Sequence, residues 1–200
     1  MTRDQTIHIV PAGSFAPEIK ALAKATGFTS VEFYDDKTKA KVKTLAEIPN
    51  KAAIALAVGA PKTRRIIQGK LSNGLEFPKL IHPTVLFFEP EQIRIGRGSL
   101  ITAANVISTN VEIGDFALVN LQCTIGHDCI IGDFCSLMPG VRLSGGVHLE
   151  SGVYIGTNAV VLPNIKIGEG ATIGAGAVVT KNVPPGRTFA GVPAIDITKS

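Results

Sequence analysis

The sequence predicts a small α/β domain, Rossmann-like in its alternation, followed by a three-sided parallel β-helix of about five coils. Two observations carry the prediction: an aliphatic residue at every sixth position from Ile95 to Val179, and strand and helix signals that alternate before residue 82. In a chain that is 45% hydrophobic, fifteen consecutive aliphatic residues at this spacing have a chance of roughly 10⁻⁵. We therefore divide the chain at His82-Pro83, into residues 1–82 and 83–200.

Short apolar runs alternate with helical patterns in the first domain. Strands are predicted at Ile7–Val10, Val31–Tyr34, Ala53–Val58 and Phe77–Ile81, and helices at Pro17–Ala25 and Lys62–Leu71. Such alternation is typical of a parallel sheet, whose ligands bind at the carboxyl ends of the strands. Gly13, Asp35, Asp36 and Gly59 fall at those ends. Paired carboxylates there can accept hydrogen bonds from a base or ribose, although GxGxxG is absent and a plain loop would also explain Gly13 or Asp35.

The period of six fits neither a helix nor a plain strand, but suits one short strand and a turn. Three such units close a coil of 18 residues, so residues 18 apart stack at strand spacing. Glycine follows the aliphatic residue in seven of the fifteen repeats, which we interpret as corners with unusual dihedral angles. After Val179 the period fades into a tail rich in proline, which we expect to cap the open end.

Three cysteines, Cys123, Cys129 and Cys135, lie six residues apart at the small inward position of the repeat. No histidine shares that position and no CxxC spacing occurs, so we interpret them as buried packing thiols and expect no metal.

Composition narrows the function classes. The net charge is +4 but only 18% of residues are charged, which indicates a solvated surface, not a nucleic-acid interface. A basic balance would still suit an anionic small ligand. No run of 18 apolar residues occurs, and the first residues are polar, so we expect a cytoplasmic protein without a membrane span.

The repeats contain one chemically informative segment, Gly126-His127-Asp128. His127 comes two residues after the inward Ile125, so we expect it on the outer surface, where flat faces of a β-helix can pack around a threefold axis. The imidazole would then line a cleft between subunits, with Asp128 supporting its basicity. A solvated surface histidine is the alternative, and it is our interpretation of His148.

The segment from Asn120 to Phe134, containing Gly-His-Asp, resembles the active-site segment of bacterial nucleotide-sugar acetyltransferases. That family includes UDP-4-amino-sugar and GDP-perosamine N-acetyltransferases and sialic acid O-acetyltransferase-like proteins. The likeness extends to Asp35-Asp36, the Ile81-His82-Pro83 junction, the repeats and the Ala190–Ala194 tail. It implies the left-handed β-helix of hexapeptide-repeat acyltransferases, which the spacing alone does not.

The resemblance also implies a homotrimer that binds acetyl-CoA between prisms and a nucleotide-linked amino sugar on the α/β domain, in glycan biosynthesis. His127 would be the general base, supported by Asp128. The positions that match nucleotide-sugar contacts are Gly13, Ser14, Phe15, Asp35, Asp36 and Gly59, and those that match acetyl-CoA contacts are Ser136, Thr157 and Ala175. For the oxyanion we expect the backbone N–H of Gly145 or Gly146.

Three residues depart from the family pattern. Phe15 stands where a histidine is usual, Ala60 where an asparagine is common, and Ile195 where the tail often has a basic residue. Three hypotheses follow: an N-acetyltransferase acting on a nucleotide-linked amino sugar, an O-acetyltransferase of the same family, or a non-catalytic scaffold or sugar-nucleotide-binding module. A histidine with an acidic neighbour at a subunit interface favours the enzymes.

Overall fold

The computed structural model describes residues 5–36 and 42–199. Its first part is a parallel three-stranded sheet in the order β2-β1-β3, with β1 Thr6–Val10, β2 Ser30–Phe33 and β3 Ala53–Leu56. Helices α1 (Ala16–Ala25) and α2 (Pro61–Lys70) connect and follow the strands, and a 3₁₀ turn spans Leu45–Glu47. These three strands and two helices confirm the predicted elements to within two residues.

The prediction of a fourth strand in this sheet, at Phe77–Ile81, is wrong. Only Leu80–Ile81 is a strand, and it pairs with Leu100–Ile101 of the β-helix, not with the α/β sheet. Glu76, just before the predicted strand, instead forms an isolated bridge with Ala53 of β3. Apolar periodicity cannot say which sheet a strand will join, because that choice depends on contacts distant in sequence.

The remaining chain is a parallel β-solenoid with three faces of two-residue strands. Face 1 contains Leu80–Ile81, Leu100–Ile101, Leu118–Val119, Ser136–Leu137, Tyr154–Ile155, Thr172–Ile173 and Thr188–Ala190. Face 2 contains Leu86–Phe87, Val106–Ile107, Thr124–Ile125, Arg142–Leu143, Val160–Val161 and Val178–Val179. Face 3 contains Arg94–Ile95, Glu112–Ile113, Ile130–Ile131, His148–Leu149 and Lys166–Ile167.

The solenoid has about six coils, one more than the five we predicted. The additional strands Leu80–Ile81 and Leu86–Phe87 pair with residues 20 positions later, whereas Arg94–Ile95 pairs 18 positions later. A 3₁₀ turn at Pro90–Gln92 accommodates the two extra residues. That insertion breaks the six-residue register, so a strict period cannot detect the first coil.

The interior confirms the inward positions read from the repeat. All the repeat aliphatics from Ile101 to Val179 are at most 3% exposed, and the three cysteines are fully buried. Burial raises the pKa of the Cys123 thiol to about 11 and that of Cys135 to about 12, so both are packing thiols, not nucleophiles. Asn105, the polar exception at the small inward position, donates to the carbonyl of Thr102 and accepts from the N–H of Cys123.

Glycine occurs at these repeat positions for a different reason from the one we predicted. They do not adopt positive φ; the left-handed conformation occurs two residues later, at fourteen successive corners from Gly98 to Gly176, with or without glycine. A Cβ at Gly114 or Gly132 would instead lie 2.7 Å from the backbone nitrogen of Asp133 or Ser151 in the next coil. Glycine is therefore required by close contact between coils.

The α/β domain packs on face 1. The outward side chains of Leu80, Leu100 and Leu118 are at most 2% exposed and share a core cluster with Ile9 of β1 and Ile19 of α1. At the other end, Phe189 and Ala194 of the tail are buried over the last coil, and Ile195–Asp196 adds an antiparallel strand. These contacts agree with the cap that we expect at this end, which stays a prediction.

Candidate active site

His127 and Asp128 lie on the corner between face 2 and face 3. The strand before them buries Ile125, and the turn then leaves the side chain of His127 65% exposed and that of Asp128 56% exposed. Asp128 is the left-handed corner residue, with φ of 57°. The chain thus presents an imidazole and a carboxylate side by side on an outer edge, as the position after Ile125 predicts.

The two side chains form one hydrogen-bonded unit. Nδ1 of His127 lies 2.7 Å from Oδ2 of Asp128, and Nδ2 of Asn110 donates to Oδ1 at 2.7 Å. Hydrogen bonds from Asn110 first, and from His127 second, hold the pKa of the Asp128 carboxyl below its ordinary value. An ionised carboxylate only accepts, so Nδ1 carries the hydrogen and Nε2 of the neutral ring has the free lone pair.

Gly145 lies under the imidazole. A Cβ at this position would collide with the ring of His127, so the absence of a side chain makes room for the imidazole. The N–H of Gly145 has no hydrogen-bond partner among the described residues, whereas the N–H of Gly146 donates to the carbonyl of His127 at 2.8 Å. Gly146 is therefore a wrong choice as an oxyanion donor, and Gly145 stays a prediction.

The second group of predicted residues lies at the carboxyl edge of the α/β sheet. Gly13 and Ser14 are exposed after β1, and Asp35 and Asp36 follow the end of β2. Oδ1 of Asp36 accepts from the N–H of Leu45 at 2.9 Å, so this carboxylate also has a partner within the chain.

Two other predicted contacts at this edge are engaged in packing. The ring of Phe15 packs against the core cluster under α1, and the carbonyl of Gly59 accepts hydrogen bonds from Ser136 and Arg64. Gly59 is half-buried and Ala60 is exposed. The aromatic ring of Phe15 thus packs in the core of this part of the chain, and its side chain offers no polar group to a ligand.

The three predicted acetyl-CoA positions do not lie together. Ser136 is fully buried on face 1, where its hydroxyl donates to Gly59 at 2.6 Å and accepts from Arg64. Its assignment as a cofactor contact is corrected on that ground, because the α/β domain covers it. Thr157 and Ala175 are exposed and stack on the corner between faces 1 and 2.

Within one chain the two predicted sites are far apart in the architecture. The α/β domain covers face 1, and the corner of His127 joins the other two faces, opposite face 1. Cavities of about 400 Å³ lie beside α2, around Arg65 and Tyr154, and along face 3, around Glu112 and Asp133. His127 lines neither cavity.

Two residues with direct contacts to predicted site residues were not found from the sequence. Asn110 holds Asp128, and Arg64, only 1% exposed, joins α2 to the solenoid. A spacing of 18 residues from Asp128 could have identified Asn110, since stacked corners lie at that interval. No sequence pattern distinguishes Arg64, because it is one of several basic residues in α2.

Among the described residues, no group of three or more His, Cys, Asp or Glu side chains is arranged to hold a metal ion. Neither helix in the described part of the chain has the length and apolar character that a membrane span requires.

Comparisons with known proteins identify relatives that share this architecture. The family model of the bacterial transferase hexapeptide (six repeats) matches residues 146–181. A comparison with curated protein sequences found no match. Among solved structures, the acetyltransferase domain of PglB from Neisseria gonorrhoeae FA1090, in complex with acetyl coenzyme A, is 31% identical with a TM-score of 0.88, covering 97% of this chain and 100% of that one.

Two further structures are similar along nearly the whole chain. PerB from Caulobacter crescentus, in complex with CoA and GDP-perosamine, is 26% identical with a TM-score of 0.86, covering 96% of this chain and 97% of that one. WeeI from Acinetobacter baumannii AYE is 28% identical with a TM-score of 0.87, covering 96% and 99%. The C. crescentus protein, a perosamine N-acetyltransferase, also has structures in which one histidine is replaced by asparagine or alanine.

Proposed function

Because this chain belongs to the family of bacterial nucleotide-sugar acetyltransferases, we propose that it transfers the acetyl group of acetyl-CoA to the amine of a nucleotide-linked amino sugar. His127 is the general base. One observation carries the assignment: an exposed imidazole whose Nδ1 is held by Asp128 at 2.7 Å, which leaves the lone pair of Nε2 free on the side of the ring near Gly145. Relatives crystallised with acetyl-CoA or with CoA and GDP-perosamine support both substrates.

The reaction needs one base and one oxyanion donor. The amine nitrogen attacks the thioester carbonyl as Nε2 of His127 takes one of its protons, giving a tetrahedral oxyanion and an imidazolium. When the oxyanion collapses, the C–N bond remains, the C–S bond breaks, and the CoA sulfur leaves as a thiolate that receives the proton from His127. Asp128 stabilises the imidazolium between these two steps.

Gly145 is the proposed oxyanion donor. Its N–H has no partner among the described residues, and an added Cβ on the same residue would meet the ring of His127. A backbone N–H aimed at the developing charge costs no reorganisation during the reaction. The absence of a Cβ would let the imidazole reach the attacking amine while the N–H reaches the oxygen of the same thioester carbonyl.

We propose that the active site forms between copies in a homotrimer. The predicted nucleotide loops lie on face 1, opposite the corner of His127, so the base of one chain must act on a sugar held by its neighbour. Exposed apolar side chains on the solenoid, Leu86, Phe88 and Ile130, support such contacts, since each is more than 40% exposed. Thr157 and Ala175, on a different corner, are the remaining proposed acetyl-CoA contacts.

The acceptor is proposed to bind at the carboxyl edge of the α/β sheet, through Gly13, Ser14, Asp35, Asp36 and Gly59. This edge carries backbone groups and carboxylates suited to a base and ribose. Three free, buried cysteines fit a reducing compartment, and we propose the cytoplasm.

The decisive experiment measures thiol release from acetyl-CoA with UDP-, GDP- and dTDP-linked amino sugars, and with the matching hydroxy sugars. We expect transfer to at least one amino sugar and a loss of about 10²–10⁴-fold in kcat for His127→Asn. Transfer only to a hydroxy sugar would identify an O-acetyltransferase. Full activity of the folded His127→Asn variant would exclude His127 as the general base. Binding of a sugar nucleotide without any thiol release would indicate a binding module.

A further inference from the structure

Asn110 and Asp128 lie at the same corner of adjacent coils. They are 18 residues apart in sequence, one full turn of the solenoid, so the two side chains stack along the solenoid axis. Its Nδ2 donates to Oδ1 of Asp128 at 2.7 Å, while Oδ2 of the same carboxylate lies 2.7 Å from Nδ1 of His127. The three side chains therefore form a chain of two hydrogen bonds on an exposed edge. Each oxygen of the carboxylate has its own partner.

We propose that Asn110 is a positioning residue for acetyl transfer, which acts by holding the Asp128 carboxylate in the orientation that fixes the ring of His127. The inference rests on the proposed function, because it concerns the same base. It adds a third member to the pair that the sequence predicts, and assigns to it a role that needs no contact with substrate.

The physical need for such a residue follows from exposure. Asp128 is more than half exposed, and the terminal torsion of an aspartate is broad, so a carboxylate held at one oxygen would exchange between histidine and water. A second hydrogen bond at the other oxygen restricts that rotation. It also keeps the carboxyl ionised, since Asn110 is the first cause of the lowered pKa of Asp128. An ionised, fixed acceptor keeps the hydrogen on Nδ1 and leaves Nε2 free.

Backbone geometry alone does not account for this contact. Asparagine suits the left-handed corner, and it recurs there at Asn158 and Asn164, with φ of 56° and 59°, close to the 53° of Asn110. Neither of those residues has a carboxylate on an adjacent coil of its corner, where the neighbours are Gly140, Gly146, Gly176 and Asn182. Asn110 therefore shares a conformational role with the other two and has in addition a partner at the base.

This difference provides a matched control. Asn110→Gly removes the amide but keeps a residue that accepts positive φ without strain, so the variant folds. Asn158→Gly makes the same change at the same backbone conformation on another corner, away from His127. We expect Asn110→Gly to lower kcat about fivefold, the loss of one hydrogen bond of about 1 kcal/mol, with the KM for acetyl-CoA unchanged and Asn158→Gly equal to wild type.

Two further measurements separate positioning from a structural effect. In an Asp128→Gly background, Asn110→Gly should lower kcat no further, because its target is gone. In a ¹³C titration of the aspartate carboxyls, with the Asp128 signal assigned from Asp128→Gly, its midpoint should move to higher pH in Asn110→Gly and stay in place in Asn158→Gly.

The inference is overturned if Asn110→Gly leaves kcat unchanged, or if its effect persists undiminished without Asp128. A chain that transfers no acetyl group to any acceptor would instead remove the proposed function. In that event the carboxyl titration still decides whether Asn110 holds Asp128, and equal midpoints in wild type and Asn110→Gly would refute it.

Discussion

At the corner that carries His127, a single backbone position serves both the fold and the proposed chemistry. Asp128 adopts the left-handed conformation that recurs at every described corner from Gly98 to Gly176, and this conformation places its carboxylate beside the imidazole. Aspartate and asparagine tolerate positive φ better than other residues with side chains. The solenoid thus provides, at no extra strain, positions where polar side chains on stacked coils meet.

Gly145 is the residue whose side chain, if present, would occupy the space of the His127 imidazole, the proposed base. We expect Gly145→Ala to lower kcat roughly 10- to 100-fold, the scale of a small misplacement of a reacting group. Stability should change little, because Gly145 does not have positive φ and the colliding atoms are the end of a flexible side chain. The measurement is kcat at saturating acetyl-CoA, together with the melting temperature.

Gly69 provides the control for that substitution. It lies in α2 with nothing near the position of an added Cβ, so Gly69→Ala should keep full activity and add about 0.5–1 kcal/mol of stability. Equal kcat values in Gly145→Ala and Gly69→Ala would show that the ring of His127 does not need its position over Gly145.

His8 is a buried titratable side chain outside the site. It is 6% exposed in β1, and its Nδ1 lies 3.0 Å from the hydroxyl of Tyr34, which donates to Glu32, the partner of Lys43. Burial is the main cause that lowers the pKa of His8 below 6.5. The unfolded chain therefore binds a proton at His8 more readily than the folded chain does. The neutral His8 side chain contributes to the stability of the folded chain above about pH 6.5, and that contribution is lost as the pH falls below this value.

We expect His8→Gln, which can still hydrogen-bond to Tyr34, to reduce the fall in melting temperature between about pH 7.5 and pH 5.5. Glu32 has a lowered pKa and titrates below this window, and the raised pKa of Tyr34 places its titration above it. Thermal unfolding of both proteins across the window is the measurement. Parallel curves for wild type and His8→Gln would contradict the role of His8.

At the scale of elements, α2 is the link between the sheet and the solenoid. Arg64 of this helix donates to the carbonyls of Phe116, Phe134 and Cys135 on the solenoid, and to those of Val58 and Gly59 at the end of β3. Burial is the main cause that lowers its pKa, to about 10, so the guanidinium remains charged at neutral pH. The contacts tie the predicted acceptor loop to face 1.

We expect Arg64→Met to destabilise the chain by about 2–4 kcal/mol, because several buried carbonyls would lose a charged donor. Arg65→Met is the control: its side chain is about half exposed, 3.9 Å from Glu169 and stacked on Phe134, so its loss should cost less than about 1 kcal/mol. Urea unfolding of the two variants is the measurement. Similar losses of stability in both would mean that Arg64 does not hold α2 in place.

At the scale of the whole molecule, the position of His127 opposite the α/β domain predicts shared active sites. We expect a particle with the mass of three chains, and we expect co-assembly of His127→Ala with a chain carrying Asp35→Ala and Asp36→Ala to restore activity that each lacks alone. With equal amounts of both, about one quarter of the sites combine an intact base with an intact neighbouring loop.

Thiol release from the mixed assembly is the measurement. An active monomer, or no recovery from two inactive parents in one assembly, would contradict sites shared between chains. Activity of the doubly substituted parent alone would contradict the placement of the acceptor at Asp35 and Asp36.

Much of the fold could be predicted because it is local. The six-residue period identifies the inward side chains from Ile101 to Val179, and strand and helix patterns identify α1, α2 and the three strands of the α/β sheet. The division at residue 82 stays a prediction, although the first solenoid strand, Leu80–Ile81, precedes it. The first coil was missed because two extra residues at Pro90–Gln92 disturb the period.

The candidate site divides in the same way. His127 and Asp128 are adjacent in sequence, so their pairing could be expected from the residues alone, whereas the roles of Asn110 and Gly145 depend on contacts between coils. The burial of Ser136 could not be read from its repeat position, because it results from docking of the α/β domain. Leucine at the outward positions Leu100 and Leu118 was the available signal for that docking face.

The sequence by itself determined a solenoid with a histidine and an aspartate on its outer edge, because a repeat of six residues sets the direction of every side chain along the chain. Only the tertiary structure decided which corner of which coil meets which, and on which face the α/β domain packs. Those outcomes depend on residues 18 or more apart, and on the close approach of backbones that no local pattern records.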